Sequence, residues 1–198
     1  LKKLMYQNID STFNAISVDG DTSTSDTLML FSLKNVKKEK IAKLSSIKKI
    51  SEALKELMLN LSLQVVSDGE GISKLMQIDV SGAKSYKQAS NVSFSVGNSS
   101  LVKTAIAGQD ANWGRIIMAI GKGDNAVNQN KIKLSFGNLL VASNGEMNSK
   151  INLKKLDSYM KRKLINIKID LGLGKFKRTI FASDLTHDYI SINADYRS

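Results

Sequence analysis

The sequence has 198 residues and a net charge of +11, with 42% hydrophobic and 24% charged side chains, no cysteine and no proline. That is the composition of a folded globular chain of a size that builds one core, and not of a disordered, collagenous or fibrous one. Without cysteine there is no disulfide framework, thiol nucleophile or Cys-type zinc site, and no apolar run approaches the ~20 residues that span a bilayer.

The chain opens on Leu1-Lys2-Lys3 rather than Met, and Leu1, Leu4, Met5, Ile9, Phe13 and Ile16 fall near helical spacing. It therefore starts inside an amphipathic helix, with further residues expected upstream; no secretory signal pattern is present. Ala15–Val18 follows as a short strand, then the polar turn Asp19–Asp26, an apolar strand-like run Thr27–Leu33, and a charged loop or frayed helix over Lys34–Lys43. From Ile47 to Val66 the positions Ile47, Ile50, Leu54, Leu57, Met58, Leu61 and Val65 keep helical spacing, and Ser67-Asp68-Gly69 ends the helix with Gly69 as a left-handed cap. Lys74–Ser81 alternates as a strand, Tyr86–Val96 reads as helix, and Leu101–Ala107 fits strand or helix. Trp113–Ile120 is helical, and Lys131–Phe136 with Leu139–Ser143 forms a hairpin about Gly137-Asn138. Asn152 caps a helix over Leu153–Arg162; Leu164–Leu171 and Phe176–Phe181 look like a second hairpin across Gly172–Gly174; Asp184–Ala194 is a short capped helix. Mixed strands and helices without repeat or linker give a single α/β domain over residues 1–198.

Three stretches carry polar chemistry. Asp19-Gly20-Asp21-Thr22-Ser23-Thr24-Ser25-Asp26-Thr27 holds three carboxylates after a strand, which suits a hard cation or an aspartate-nucleophile phosphatase loop, or simply a turn whose side chains bond its backbone. As a calcium loop it fails, with Thr24 at the sixth position and Leu30 at the twelfth. Asp68-Gly69-Glu70-Gly71 sets Glu70 between glycines, either solvated at a helix end or free to meet an amine substrate. In Gln109-Asp110-Ala111-Asn112-Trp113-Gly114-Arg115, Asp110 or Asn112 caps the next helix and Trp113 packs beneath it, the alternative being a substrate pocket. His187 has no partner pattern for a triad or a metal, and the glycine pairs match neither phosphate-loop nor dinucleotide spacing.

The positive charge raises a nucleic-acid-binding module as one alternative function. Only Arg115, Arg162, Arg178 and Arg197 of the 29 basic residues are arginine, and no aromatics interleave the lysine clusters, so solvated faces explain the surplus better.

Taken in order, Ser17-Val18-Asp19-Gly20-Asp21-Thr22-Ser23-Thr24-Ser25-Asp26-Thr27, Asp68-Gly69-Glu70-Gly71, Gly108–Ile116, Asp184-Leu185-Thr186 and the terminal Ile192-Asn193-Ala194-Asp195-Tyr196-Arg197-Ser198 resemble the β chain of the glutamate N-acetyltransferase (ornithine acetyltransferase) family of arginine biosynthesis. The resemblance runs from the first helix to the last residue. It implies a self-processing aminopeptidase-like αββα sandwich, of which this is the C-terminal portion. It further implies a precursor that cleaves itself before a threonine, and transfer of acetyl from N-acetylornithine to glutamate through an acetyl-threonine. Acetyl-CoA serves some members as a second donor, and no cofactor or metal is expected. The implied partners are an α chain in an α2β2 heterotetramer, in the cytoplasm, with no nucleic acid and no membrane. On this likeness Glu70, Asn193 and Ser198 are the substrate-binding positions. Leu1 does not match the family's cleavage-site threonine, so the nucleophile, the oxyanion-hole residues and a substrate-binding lysine are expected upstream. A related peptide-hydrolysing, self-processing aminopeptidase is the other rival function.

Overall fold

A computed structural model describes residues 1–33, 44–124 and 126–196. Its strands form one seven-stranded mixed sheet in the order β1-β7-β2-β6-β3-β4-β5. The strands are β1 (Ile16–Ser17), β2 (Leu75–Ala83), β3 (Lys133–Phe136), β4 (Leu139–Ser143), β5 (Glu146–Met147), β6 (Leu164–Asp170) and β7 (Phe176–Ser183). The helices are α1 (Lys2–Ile9), α2 (Leu44–Ser67), α3 (Tyr86–Gly97), α4 (Ser100–Ala107), α5 (Trp113–Gly123), α6 (Leu153–Met160) and α7 (His187–Asp195).

Period-two alternation explains the sheet's two unlike faces. Met76, Ile78 and Val80 of β2, Ile165, Ile167 and Ile169 of β6, Ile180 and Ala182 of β7, and Leu134 and Phe136 of β3 all point into one buried cluster. Helix α3 lies on that face, with Gly97 close against Ile78, Ile180 and Ala182. Ser85 caps α3 through the Gln88 amide, and Ser99 caps α4 through the Val102 amide, which lets the two helices turn tightly at Asn98. Residues between the buried ones make the other face polar: Asp79 accepts from the Asn166 amide at 2.6 Å and the Thr179 hydroxyl at 2.7 Å, and from Gln77 at 3.0 Å. The chain thus supplies one sheet with its helix layer, as the α/β class requires.

Several elements differ from the sequence expectation. Leu164–Leu171 and Phe176–Phe181 do not pair as a hairpin: β2 lies between them, parallel to β6 and antiparallel to β7. Thr27–Leu33 is not a strand, and Met29, Phe31 and Leu33 are exposed. The ambiguous Leu101–Ala107 segment is helix α4. Gly71, not Gly69, takes the left-handed conformation after α2, at φ +60°. Helix α2 forms as expected but buries Met58, Ser62 and Val66, while Ile47, Ile50, Leu57, Leu61 and Val65 stay exposed. The Lys34–Lys43 expectation lies outside the described residues. Among those residues no helix is long and apolar enough to cross a membrane.

Candidate functional site

Four segments distant in sequence meet at the end of the sheet where β2 begins and β7 finishes. Glu70 projects from the loop joining α2 to β2. The Gly71 turn carries the first turn of α7, because a Cβ at Gly71 would collide with the Tyr189 backbone nitrogen. Thr186 caps α7, accepting from the Tyr189 amide at 3.3 Å and donating to the Gly71 carbonyl. One turn further, the Asn193 amide donates to Glu70 Oε2 at 2.9 Å and to the Tyr189 carbonyl at 3.0 Å. Two expected site residues, 123 positions apart, are therefore in direct contact. Ser198 lies outside the described residues.

The polar loop after β1 completes the cluster. Asp19 Oδ1 accepts from the Asp21 amide at 2.9 Å, and Asp19 Oδ2 accepts from the Tyr189 phenol at 3.1 Å. Partial burial and the carboxylates of Asp19, Asp21 and Glu70 push the Tyr189 phenol above its ordinary pKa of 10.0. Asp19 thus acts as a loop anchor, and the Ser23 and Thr27 hydroxyls likewise bond the loop's own backbone at Ser25. Among the described residues no three acidic or histidine side chains gather as a metal cage.

Beneath this surface the supports are buried. Asp184, 2% exposed, accepts from the Ser73 amide at 2.8 Å and from the Ser73 hydroxyl, pinning the Glu70 loop to the end of β7. Lys103, also 2% exposed, reaches up from α4 and donates to the carbonyls of Val18 and Ser183 and to the Ser183 hydroxyl. Burial lowers its pKa to about 8, against the opposing pull of Asp184 and Asp19. Elsewhere, Asn112 caps α5 through the Arg115 amide at 3.2 Å, and Arg115 reaches the Leu101 carbonyl at 2.9 Å. That motif is a joint between α4 and α5, with Trp113 packed on the core. His187 is an exposed residue of the first turn of α7.

An exposed carboxylate flanked by a primary amide and a second carboxylate loop suits an amine-bearing small molecule. Sequence inspection alone did not find Tyr189, Thr186 or Lys103. Thr186 was detectable as a hydroxyl residue at a helix start; the other two carry no local signal.

The model of the ArgJ family matches residues 1–198. The chain belongs to the ArgJ family. It is 41% identical over 203 residues to the arginine biosynthesis bifunctional protein ArgJ of Brucella suis biovar 1, covering all of this chain and 49% of that protein. To the ArgJ protein of Bartonella henselae it is 42% identical, again over all of this chain and 49% of the relative. It thus spans about half the length of the curated relatives it matches. Among solved structures, it resembles the crystal structure of arginine biosynthesis bifunctional protein ArgJ from Bacillus halodurans. That likeness has a TM-score of 0.87 and 33% identity, over 98% of this chain and 92% of that one.

Proposed function

We propose that these residues form the substrate-binding half of an acetyltransferase that moves acetyl from N-acetylornithine to glutamate. The observation that carries the proposal is the Asn193–Glu70 contact, which joins two of the three expected substrate positions in one exposed cluster. Glu70 pairs with an amine of the amino-acid substrate, a charge-assisted contact, while Asn193 fixes the carboxylate's direction and Ser198 adds a hydroxyl. Donor and acceptor share an amino-acid backbone, so one pocket receives each in turn. The attacking group is the hydroxyl of a threonine upstream of Leu1, at the N-terminus that self-cleavage creates on the β chain, with its free α-amine as base, and the acetyl group rests on it as an ester between the two half-reactions. Acetyl-CoA is a possible second donor, and no cofactor takes part.

The remaining parts of the proposal concern assembly. The other half is an α chain, in an α2β2 heterotetramer located in the cytoplasm. Two observations support a two-chain enzyme. The curated ArgJ relatives are about twice the length of this chain, whereas 92% of the Bacillus halodurans chain is covered by it. The exposed Ile47, Ile50, Leu57, Leu61 and Val65 stripe of α2 offers an apolar face for that partner.

The test is acetyl transfer from N-acetylornithine to glutamate by the two halves together, comparing wild type with Glu70→Ala. Loss of a charge-assisted contact, worth ~1.5–3 kcal/mol, raises the KM for N-acetylornithine at least about tenfold. An unchanged KM would remove Glu70 from the substrate site, and acetyl transfer by these residues alone would refute an external nucleophile.

A further inference from the structure

Lys103, one of the buried supports, has no part in the proposed chemistry, yet it bonds segments that lead to both sides of the site. A lysine 2% exposed is costly to bury, so its partners matter. Its ammonium has three donors, and three acceptors face it: the Val18 carbonyl, the Ser183 carbonyl and the Ser183 hydroxyl at 3.3 Å. Ser183 in turn donates to the same Val18 carbonyl at 2.7 Å, closing a ring of contacts.

Each acceptor leads to a different part of the site. Val18 immediately precedes Asp19, whose carboxylate holds Tyr189. Ser183 immediately precedes Asp184, which pins Ser73 below the Glu70 loop, and the chain then runs through Thr186 into α7. The Leu185 amide also donates to the Lys103 carbonyl at 3.4 Å. One side chain and its own backbone therefore tie together the polar loop, the end of β7 and the start of α7. The charged groups that bear on Lys103 are Asp19 from the loop after β1 and Asp184 from the end of β7.

We infer that Lys103 is a positioning residue: by clamping Val18 to Ser183 it sets where the Asp19 loop stands against α7, the helix that carries both Tyr189 and Asn193 beside Glu70, and so sets affinity for the amino-acid substrate. The inference rests on the proposed substrate site. Lys103 touches no substrate atom; it acts through the segments it joins.

The experiment uses the two-half enzyme with Lys103→Met and the milder Ser183→Ala, which removes only the hydroxyl of the ring. Lys103→Met raises KM for both N-acetylornithine and glutamate about tenfold or more, with kcat within threefold, and Ser183→Ala raises both KM values two- to fourfold. In parallel, amide hydrogen exchange in Lys103→Met speeds up in residues 18–21 and 184–189 together, while β6 and α5 keep wild-type protection. Glu70→Ala runs alongside. If Glu70→Ala raises KM and neither Lys103→Met nor Ser183→Ala does, the substrate site stands and the positioning role is overturned. A fall in kcat at constant KM also overturns it. If Glu70→Ala has no effect, the substrate-site proposal fails, and the exchange pattern decides the clamp: two segments loosening together uphold it, and unchanged protection overturns it. Should Lys103→Met fail to fold, Ser183→Ala alone carries the same two readouts.

Discussion

Replacing Lys103 with Met should abolish a specific pH dependence of stability. Burial lowers the Lys103 pKa from 10.5 in the unfolded chain to about 8 in the folded one. Below pH 8 both states hold the proton, and the folded state bears the full cost of keeping an ammonium out of water. Between 8 and 10.5 the folded state releases its proton first, so the unfolded state binds more protons and stability rises with pH. Above 10.5 both are neutral and the gain is complete. At ~1.4 kcal/mol for each pH unit between the two values, the whole gain is roughly 3–4 kcal/mol. The assay is urea unfolding of wild type and Lys103→Met at several pH values across that window, with m checked for constancy. All groups other than Lys103 are common to the two proteins and cancel in the difference. The wild-type stability, relative to the variant, should climb by roughly 3–4 kcal/mol across the window. A flat difference refutes the burial of Lys103 on which the calculation depends.

Other perturbations separate the core, the turn and the surface. Phe136→Ala, at a fully buried position, should cost about 3–5 kcal/mol in denaturant unfolding. Gly71→Ala forces a left-handed residue to carry a Cβ into the Tyr189 backbone, so it should cost more than the ~1–2 kcal/mol of the conformation alone and raise KM as α7 lifts from Glu70. By contrast Gly121→Ala meets nothing within 4 Å inside α5 and should raise the unfolding midpoint, by up to ~1 kcal/mol of stability. Leu57→Lys with Leu61→Lys, both on the exposed face of α2, should change the chain's own stability by less than ~0.5 kcal/mol each, yet weaken association with the other half in a pull-down.

The sheet and most helices were legible because apolar periodicity reports burial on one face. β2 and β6 were recognisable from Met76-Ile78-Val80 and Ile165-Ile167-Ile169, but alternation does not say which strand sits beside which. β2 therefore entered between β6 and β7 unannounced. Run length failed for Leu101–Ala107, short enough for either element, and for Thr27–Leu33, apolar without being buried. The α2 stripe illustrates the converse, since a helical apolar pattern declares a surface to be covered without naming what covers it. Within the site, Glu70 is visible as a carboxylate between glycines, but Asn193 is named only by family resemblance, and the contact between them spans 123 positions and has no sequence signal. Lys103 in a helix reads as solvated until its acceptors are known.

The placement of β7 has a consequence for when the site can exist. This strand pairs with β1 on one side and β2 on the other, so the opening of the chain has no place on the sheet until nearly the whole chain has been made. The Ser183–Val18 bond closes a separation of 165 residues. Contacts that distant are late and slow to form, because a long loop must close before they repay its entropy. During synthesis the Asp19 loop and Glu70 wait as unconnected pieces beside an unpaired β2 edge, and insertion of the last strand joins them. Without residues 176–198 the cluster lacks Ser183, Asp184, Tyr189 and Asn193, so β7 and the helix that follows it decide when the Asp19 loop and Glu70 are joined.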